Sequence, residues 1–140
     1  MKIDINLSGL KQLQSQIHQL GEKTGEFCDR CADRLAGELM TRAIERTPVD
    51  TGHLRRSYHV IRDNHGREYA RIVANNVEYA PYVEYGHRQE VGRFVPAIGK
   101  RLVREFVPGK HMLTNAAEDV RQIAPDLIEE ELKTFAERLK

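Results

Sequence analysis

Between residues 27 and 44 the apolar residues come in pairs. Phe27-Cys28, Cys31-Ala32, Leu35-Ala36, Leu39-Met40 and Ala43-Ile44 recur every four residues, with mainly polar pairs between them. Four residues turn an α-helix by about 400°, so the stripe advances about 40° per pair and winds around the axis. One straight, parallel partner cannot cover such a stripe. It predicts either a steeply crossing helix or different partners at its two ends, and it hints at contact with another subunit. Upstream, Leu10, Leu13, Ile17 and Leu20 keep helical spacing behind Ser8, whose hydroxyl suits a helix cap, and Gly21 and Gly25 are expected to loosen or break that helix. Ile3, Ile5 and Leu7 alternate with polar residues over 2–7, the pattern of a short strand.

Pro48 lacks an N–H and disfavours helical geometry at Thr47, so the long helix must stop near Arg46. Residues 47–52 then form a turn, with Asp50 placed to cap a brief helical turn through Leu54. Residues 58–62 and 67–75 read as a hairpin around 63–66, with Ala70, Ile72 and Ala74 as the core row and Arg67, Tyr69 and Arg71 as the available row. Pro81 suits a first helical position in a segment where Tyr79, Tyr82 and Tyr85 are spaced by three. From Gly86 to Lys100 periodicity is nearly absent, which predicts a long functional loop, and 102–107 reads as a strand closed by Pro108-Gly109. Leu113, Ala116, Val120, Ile123 and Leu127 return to helical spacing; Pro125 is expected to kink that helix or to start a second one, with Asp126, Glu129 and Glu130 in its first turn. The expected fold is a single α+β domain over residues 1–140. A long N-terminal helix and C-terminal helices pack on a small antiparallel sheet that carries a long extended loop.

Composition sets limits on this picture. The chain has 140 residues, 40% of them apolar and 31% charged, with a formal net charge of +1, which suits one globular core and argues against a histone-like coat or an acidic tail. The balance is uneven: residues 53–111 hold 11 basic and 6 acidic groups and all five tyrosines, whereas 112–140 hold 4 and 7. No apolar run approaches the roughly 20 residues that span a bilayer, and Met1-Lys2-Ile3-Asp4 lacks a signal core, so no membrane partner is expected and the chain reads as made and kept in the cytoplasm.

The motifs point away from chemistry. Cys28-Asp29-Arg30-Cys31 has C-x-x-C spacing, but both thiols fall within the apolar pairs of a helix, so they read first as packing. A redox role would need a strand before the motif, and zinc would need two further ligands. The six histidines are scattered, and no nucleophile elbow, Walker loop or dinucleotide fingerprint is present, so catalytic residues, metal ligands and cofactors are all expected to be none. The basic residues of 53–111 leave a nucleic-acid-binding regulator as the alternative function, although so small a surplus of charge favours weak contact with phosphate over stable binding.

Two blocks of sequence carry a family likeness. Thr47-Pro48-Val49-Asp50-Thr51-Gly52-His53-Leu54-Arg55-Arg56-Ser57, followed by Tyr79-Ala80-Pro81-Tyr82-Val83-Glu84-Tyr85-Gly86, resembles the tail-component family of tailed bacteriophages, the neck or tail-completion proteins of the lambdoid type. Gly109, Met112, Leu113 and Ala116 match that family's opening of the last helix, and His87 departs from it where Thr is more usual. The resemblance implies a non-enzymatic virion protein of the neck or tail, assembled in the host bacterial cytoplasm as a homo-oligomeric, six-fold ring around the DNA channel. Its implied neighbours are connector, tail-terminator or tail-tube proteins. Its signature positions here are Pro48, Asp50, Gly52, Leu54, Tyr79, Tyr82, Glu84 and Gly86. Within the implied ring, Arg88, Arg93, Lys100 and Arg101 become candidates for a loop facing DNA in the lumen, and Tyr79, Tyr82 and Tyr85 candidates for the subunit interface. Glu84, if buried, needs an Arg or backbone partner.

Overall fold

The computed structural model describes residues 8–63 and 69–140; the strand expected over 2–7 and most of the hairpin turn lie outside them. Two long helices dominate, α1 (Ser8–Arg46) and α4 (Met112–Arg138). They pack antiparallel: Phe27 stacks on Phe135 with ring centroids 5.2 Å apart, Arg34 pairs with Glu130 and Glu131, and Arg42 and Arg46 pair with Asp119. Small residues line the contact. Ala36, Ala43 and Ala116 are at most 5% exposed, and Leu39, Met40, Ile44 and Leu113 pack around them. The winding stripe thus does have separate partners, but both belong to the same chain: α4 on one flank and the β1–β2 hairpin (Tyr58–Asp63 and Ala70–Asn75) on the other. It therefore gives no evidence for a second subunit.

Three expectations about the helices change. α1 runs through Gly21 and Gly25 without a break, because a helical glycine costs only about 1 kcal/mol against alanine and intact turns lie on both sides. Gly25 also has a packing use, since a Cβ there would lie 2.7 Å from the Tyr69 hydroxyl. α4 likewise continues through Pro125 as one helix, not two. Pro125 is exposed and removes one backbone hydrogen bond, while ion pairs at Asp119 and Glu130 hold α4 to α1 on either side of it. Glu129 and Glu130 are mid-helix residues paired with Lys133 and Arg34.

The hairpin forms where expected, but its second strand is turned over. Arg62 faces Arg71 in the register, and both reach down to α1. Arg71 Nε donates to Asp33 at 2.6 Å and its Nη2 to Asp29, while Arg62 Nη2 donates to Asp29 at 2.6 Å. The Arg71 side chain is only 3% exposed. Val73 lies on the same face and is buried, whereas Ile72 is 49% exposed and Ile61, its cross-strand partner, 45%. Of the row expected to be available, Tyr69 is 37% exposed, Arg67 lies outside the described residues and Arg71 points inward. Two carboxylates one helical turn apart on α1 select that face, because a buried guanidinium needs both of them.

Beyond the hairpin come α2 (His53–Arg56), before β1 in the chain, and α3 (Ala80–Tyr85) after β2. The stretch from 86 to 108 forms an arm. β3 (Gly86–Arg88) pairs with β6 (Phe106–Pro108) at its root, and β4 (Phe94–Val95) pairs with β5 (Lys100–Arg101) near its tip. Between them Gln89 N donates to Glu105 O, Gly92 N to Leu102 O and Leu102 N to Arg93 O. The long loop is thus a two-stranded ribbon, and of the strand expected over 102–107 only its end, 106–108, is regular.

The inverted face gives a direct test by urea unfolding. Val73→Ala should lower stability by about 2 kcal/mol, and Ile72→Thr should change it by less than about 0.5 kcal/mol. The opposite order would mean that the other face of β2 lies inward.

Candidate functional site

The two sequence blocks converge at the junction of α2, α3 and α4. Leu54 from the first block, Ala80 from the second and Met112 from α4 form one buried cluster, with Val77 and Val83 against it. Pro48, Gly52 and Leu54 also face Tyr79 and Val83 across a groove of about 200 Å³. Thr47, 1% exposed, closes α1: its hydroxyl donates to Ala43 O at 2.6 Å and lies 3.3 Å from the Tyr58 hydroxyl, and its carbonyl accepts from Arg55 Nε at 2.8 Å. Asn75 ties the end of β2 to α2 and shapes the connection that leads to α3, donating to Leu54 O at 2.8 Å and accepting from Val77 N at 3.1 Å. Neither residue belongs to the expected signature set. A threonine before proline and an asparagine at the end of a strand are the only signals the sequence offers for them.

Asp50 does not cap α2. It is exposed, and the helix is entered through Gly52 at φ 77° with no side-chain cap; Thr51 Oγ1 accepts from His53 N at 3.3 Å instead. Gly52 supplies the left-handed turn that sends the chain into α2, a conformation other residues reach only with strain.

Glu84 is the electrostatic centre of the junction. It is 7% exposed and takes a backbone partner, not an arginine. Its Oε2 accepts from Leu113 N at 3.0 Å; its Oε1 accepts from Thr114 N at 2.9 Å and from the Thr114 hydroxyl at 2.6 Å. The carboxylate thus satisfies the open first turn of α4 and lies at the positive end of the helix. Burial alone would push the Glu84 carboxyl up. The Thr114 hydroxyl, the two backbone N–H groups and nearby His111 outweigh it and hold the carboxyl below its usual value.

Glycines let the backbones meet there. A Cβ on Gly86, which sits at φ 85°, would lie 2.8 Å from Gly109 N and closer still to Val107 O; a Cβ on Gly109 would lie 2.6 Å from the Tyr85 carbonyl carbon. Lys110 N and His111 N donate to Val83 O and Glu84 O, completing the clamp. His87 directs its ring edge-on to Tyr82, 6.1 Å between centroids.

The candidate interface tyrosines are all exposed, Tyr79 at the N-cap of α3 by 44% and Tyr82 and Tyr85 within it by 58% and 67%. Arg88, Arg93, Lys100 and Arg101 all lie on the arm and are all exposed. Arg101 donates to Gly92 O at 2.8 Å, and among the described residues none of the four forms an ion pair. Phe94, Ile98 and Val103, exposed by 51%, 60% and 82%, share the arm with them. Cys28 and Cys31 are half-buried on α1, burial and the nearby Glu131 charge push the Cys31 thiol up, and no metal-binding cluster of His, Cys, Asp and Glu occurs among the described residues.

The model of the HK97-gp10-like family, described as "Bacteriophage HK97-gp10, putative tail-component", matches residues 11–86, more than half of the chain and both sequence blocks. The chain belongs to this family. It is a phage tail component, structural in character and with other tail proteins as its neighbours. No curated protein and no solved structure matches it significantly. The family match ends at Gly86, the first residue of the arm. None of the described helices is long and apolar enough to cross a membrane.

The Glu84 clamp predicts a signed pH dependence. With its carboxyl held down in the folded state, the stability it contributes is present above the unfolded value of about 4.3 and is lost as pH falls through the lower folded value. Glu84→Gln, which turns an amide donor toward backbone donors, should cost at least about 2 kcal/mol at pH 7. The gap between wild type and variant should narrow in denaturant titrations as pH falls below about 4.3 and through the lower folded value. A gap that stays constant with pH would remove the charge from the explanation.

Proposed function

We propose that the chain is a neck or tail-completion protein that joins head to tail, assembling as a homo-oligomeric ring, six-fold in symmetry, around the DNA channel in the host cytoplasm and remaining in the virion. Connector and tail-terminator or tail-tube proteins are its neighbours along the axis. The arm carries this reading. It leaves the body as a ribbon rooted at two close-packed glycines, and it exposes both cations and large apolar side chains that serve no purpose in an isolated subunit. In the ring, Arg88, Arg93, Lys100 and Arg101 turn toward the phosphates of passing DNA, and the row Tyr79, Tyr82 and Tyr85 packs on the adjacent subunit, where a tyrosine supplies both area and a hydrogen bond. The signature residues Pro48, Gly52, Leu54, Glu84 and Gly86 build the body that holds these surfaces. Asp50 stays exposed on the rim of the groove.

A regulator that grips DNA through residues 53–111 is less well supported, because the basic segment is divided. Arg62 and Arg71 are held by Asp29 and Asp33, and Arg55 by the Thr47 carbonyl. Among the described residues of that segment most of the exposed cations that remain for phosphate lie on the arm, with Arg56 and Lys110 outside it.

Imaging of purified tails with the subunit located tests the reading. A ring at the head–tail junction is the expected result, and absence of the chain from particles overturns it. In DNA titrations binding should be weak and indifferent to sequence, and Arg93→Ala with Lys100→Ala should flatten the salt dependence by about one unit per cation removed. Sequence-selective binding that survives above physiological salt would favour the regulator.

A further inference from the structure

The cations of the arm crowd toward its outer half. Residues 91–104 hold Arg93, Lys100, Arg101 and Arg104 and no aspartate or glutamate, a local charge of +4 in a chain whose net charge is +1. Within this segment the ribbon has a defined register. β4 and β5 pair Phe94 with Arg101 and Val95 with Lys100. Just ahead of them Gly92 N donates to Leu102 O at 2.8 Å and Leu102 N donates to Arg93 O at 2.9 Å, so two residues oppose one. This is a β-bulge with glycine in its first position, where Gly92 supplies a left-handed φ of 88°. The extra residue sets Arg93 opposite Leu102.

Residues opposed in an antiparallel pair lie on one face, and the next pair lies on the other. Arg93, Val95, Lys100 and Leu102 therefore form one face of the tip, and Phe94 with Arg101 the other. Burial follows the same division, with Val95 and Leu102 half-buried and Phe94 51% exposed. On the first face Arg93 and Lys100 are diagonal neighbours, a spacing of about 7–8 Å. Among the described residues neither of these two side chains forms a hydrogen bond or an ion pair. Arg101 is differently placed: its Nη1 donates to Gly92 O at 2.8 Å, which folds the guanidinium back across the bulge. Arg88 lies back at the root, in β3.

We propose that Arg93 and Lys100 form a two-point clamp for neighbouring phosphates of one nucleic-acid strand. Gly92 decides the face on which Arg93 stands, because a slip of one residue would carry its side chain to the other side of the ribbon. A phosphodiester strand suits this face, since its anions recur at a short, regular interval and two cations that no nearby acid neutralises release counterions on meeting them. That the strand is DNA rests on the function proposed above. Of the four arm cations assigned there, these two share a face and stand unpartnered at the tip.

Titration of the full chain with a duplex of unselected sequence, repeated over a range of salt concentrations, reads the number of phosphates met as the slope of log affinity against log salt. The slope should flatten by about 0.9 unit with Arg93→Ala and again with Lys100→Ala. The face is tested with the charge held constant. Arg93→Phe with Phe94→Arg moves the cation across the ribbon without changing composition, and it should flatten the slope as much as Arg93→Ala does. Arg93→Ala with Val95→Arg returns a cation to the original face and should restore the slope. Amide exchange at Gly92 and Leu102 shows whether the ribbon is intact in each variant, and the swap at two exposed positions decides the matter if half-buried Val95 does not accept arginine. A swapped variant with the wild-type slope shows that charge acts without regard to face and overturns the clamp. So does a wild type that fails to bind the duplex at low salt, a result that would leave the pair to an acidic protein surface. Either result leaves a ring at the head–tail junction standing. Particles that lack the chain would remove the ring and leave the clamp.

Discussion

The position of the arm and of α3 against α4 depends on one buried carboxylate. Glu84 ends α3 and, through three donors from Leu113 and Thr114, starts α4. The arm leaves the body two residues after Glu84 and returns to it just before α4, so both of its roots are set by the same hydrogen bonds. An arginine could also have neutralised this charge. The helix N-terminus does so with fixed dipoles and without a second flexible side chain, which leaves the junction compact enough for glycines to touch.

Much of this was legible in the sequence because it depends on local rules. Pro48 stops α1 at Arg46, Pro81 lies in the first turn of α3, and the hairpin limits fall within a residue at three of four ends. The misreadings have a common cause, in that each element's outcome was decided by a distant partner. Ile72 is more apolar than Arg71, yet Arg71 is inside because Asp29 and Asp33, some forty residues earlier, are waiting on α1. Pro125 and Gly25 look like breaks, yet the contacts of α4 with α1, and of Gly25 with Tyr69, carry the helices past them, while α1 passes Gly21 at only the ordinary cost of a helical glycine. At the site, the sequence blocks name Glu84, Gly52 and Gly86 but leave the burial of Glu84 conditional; its burial, the positive φ of the two glycines and the roles of Thr47 and Asn75 are decided when α1, β1, α2 and α4 are brought together.

The same long-range pairing explains how a nearly neutral chain presents a basic feature. Arginines near the helices are matched by acids on the facing element, as Arg34 is by Glu130 and Glu131 and Arg46 by Asp119. Folding therefore removes charge from the body and leaves the surplus on the arm. Surface ion pairs of this kind add little stability individually; here they align two helices whose core contact is made largely by alanines.

The touching of Gly86 and Gly109 has a further consequence. Because the two ends of the ribbon are already held together, the residues between them can change in number and kind with almost no added closure entropy and without disturbing the body. The arm is thereby an exchangeable cassette. A lineage could refit it to a different neighbour while the helical frame stays as it is, and the family match, which stops at Gly86, falls at the border of that cassette.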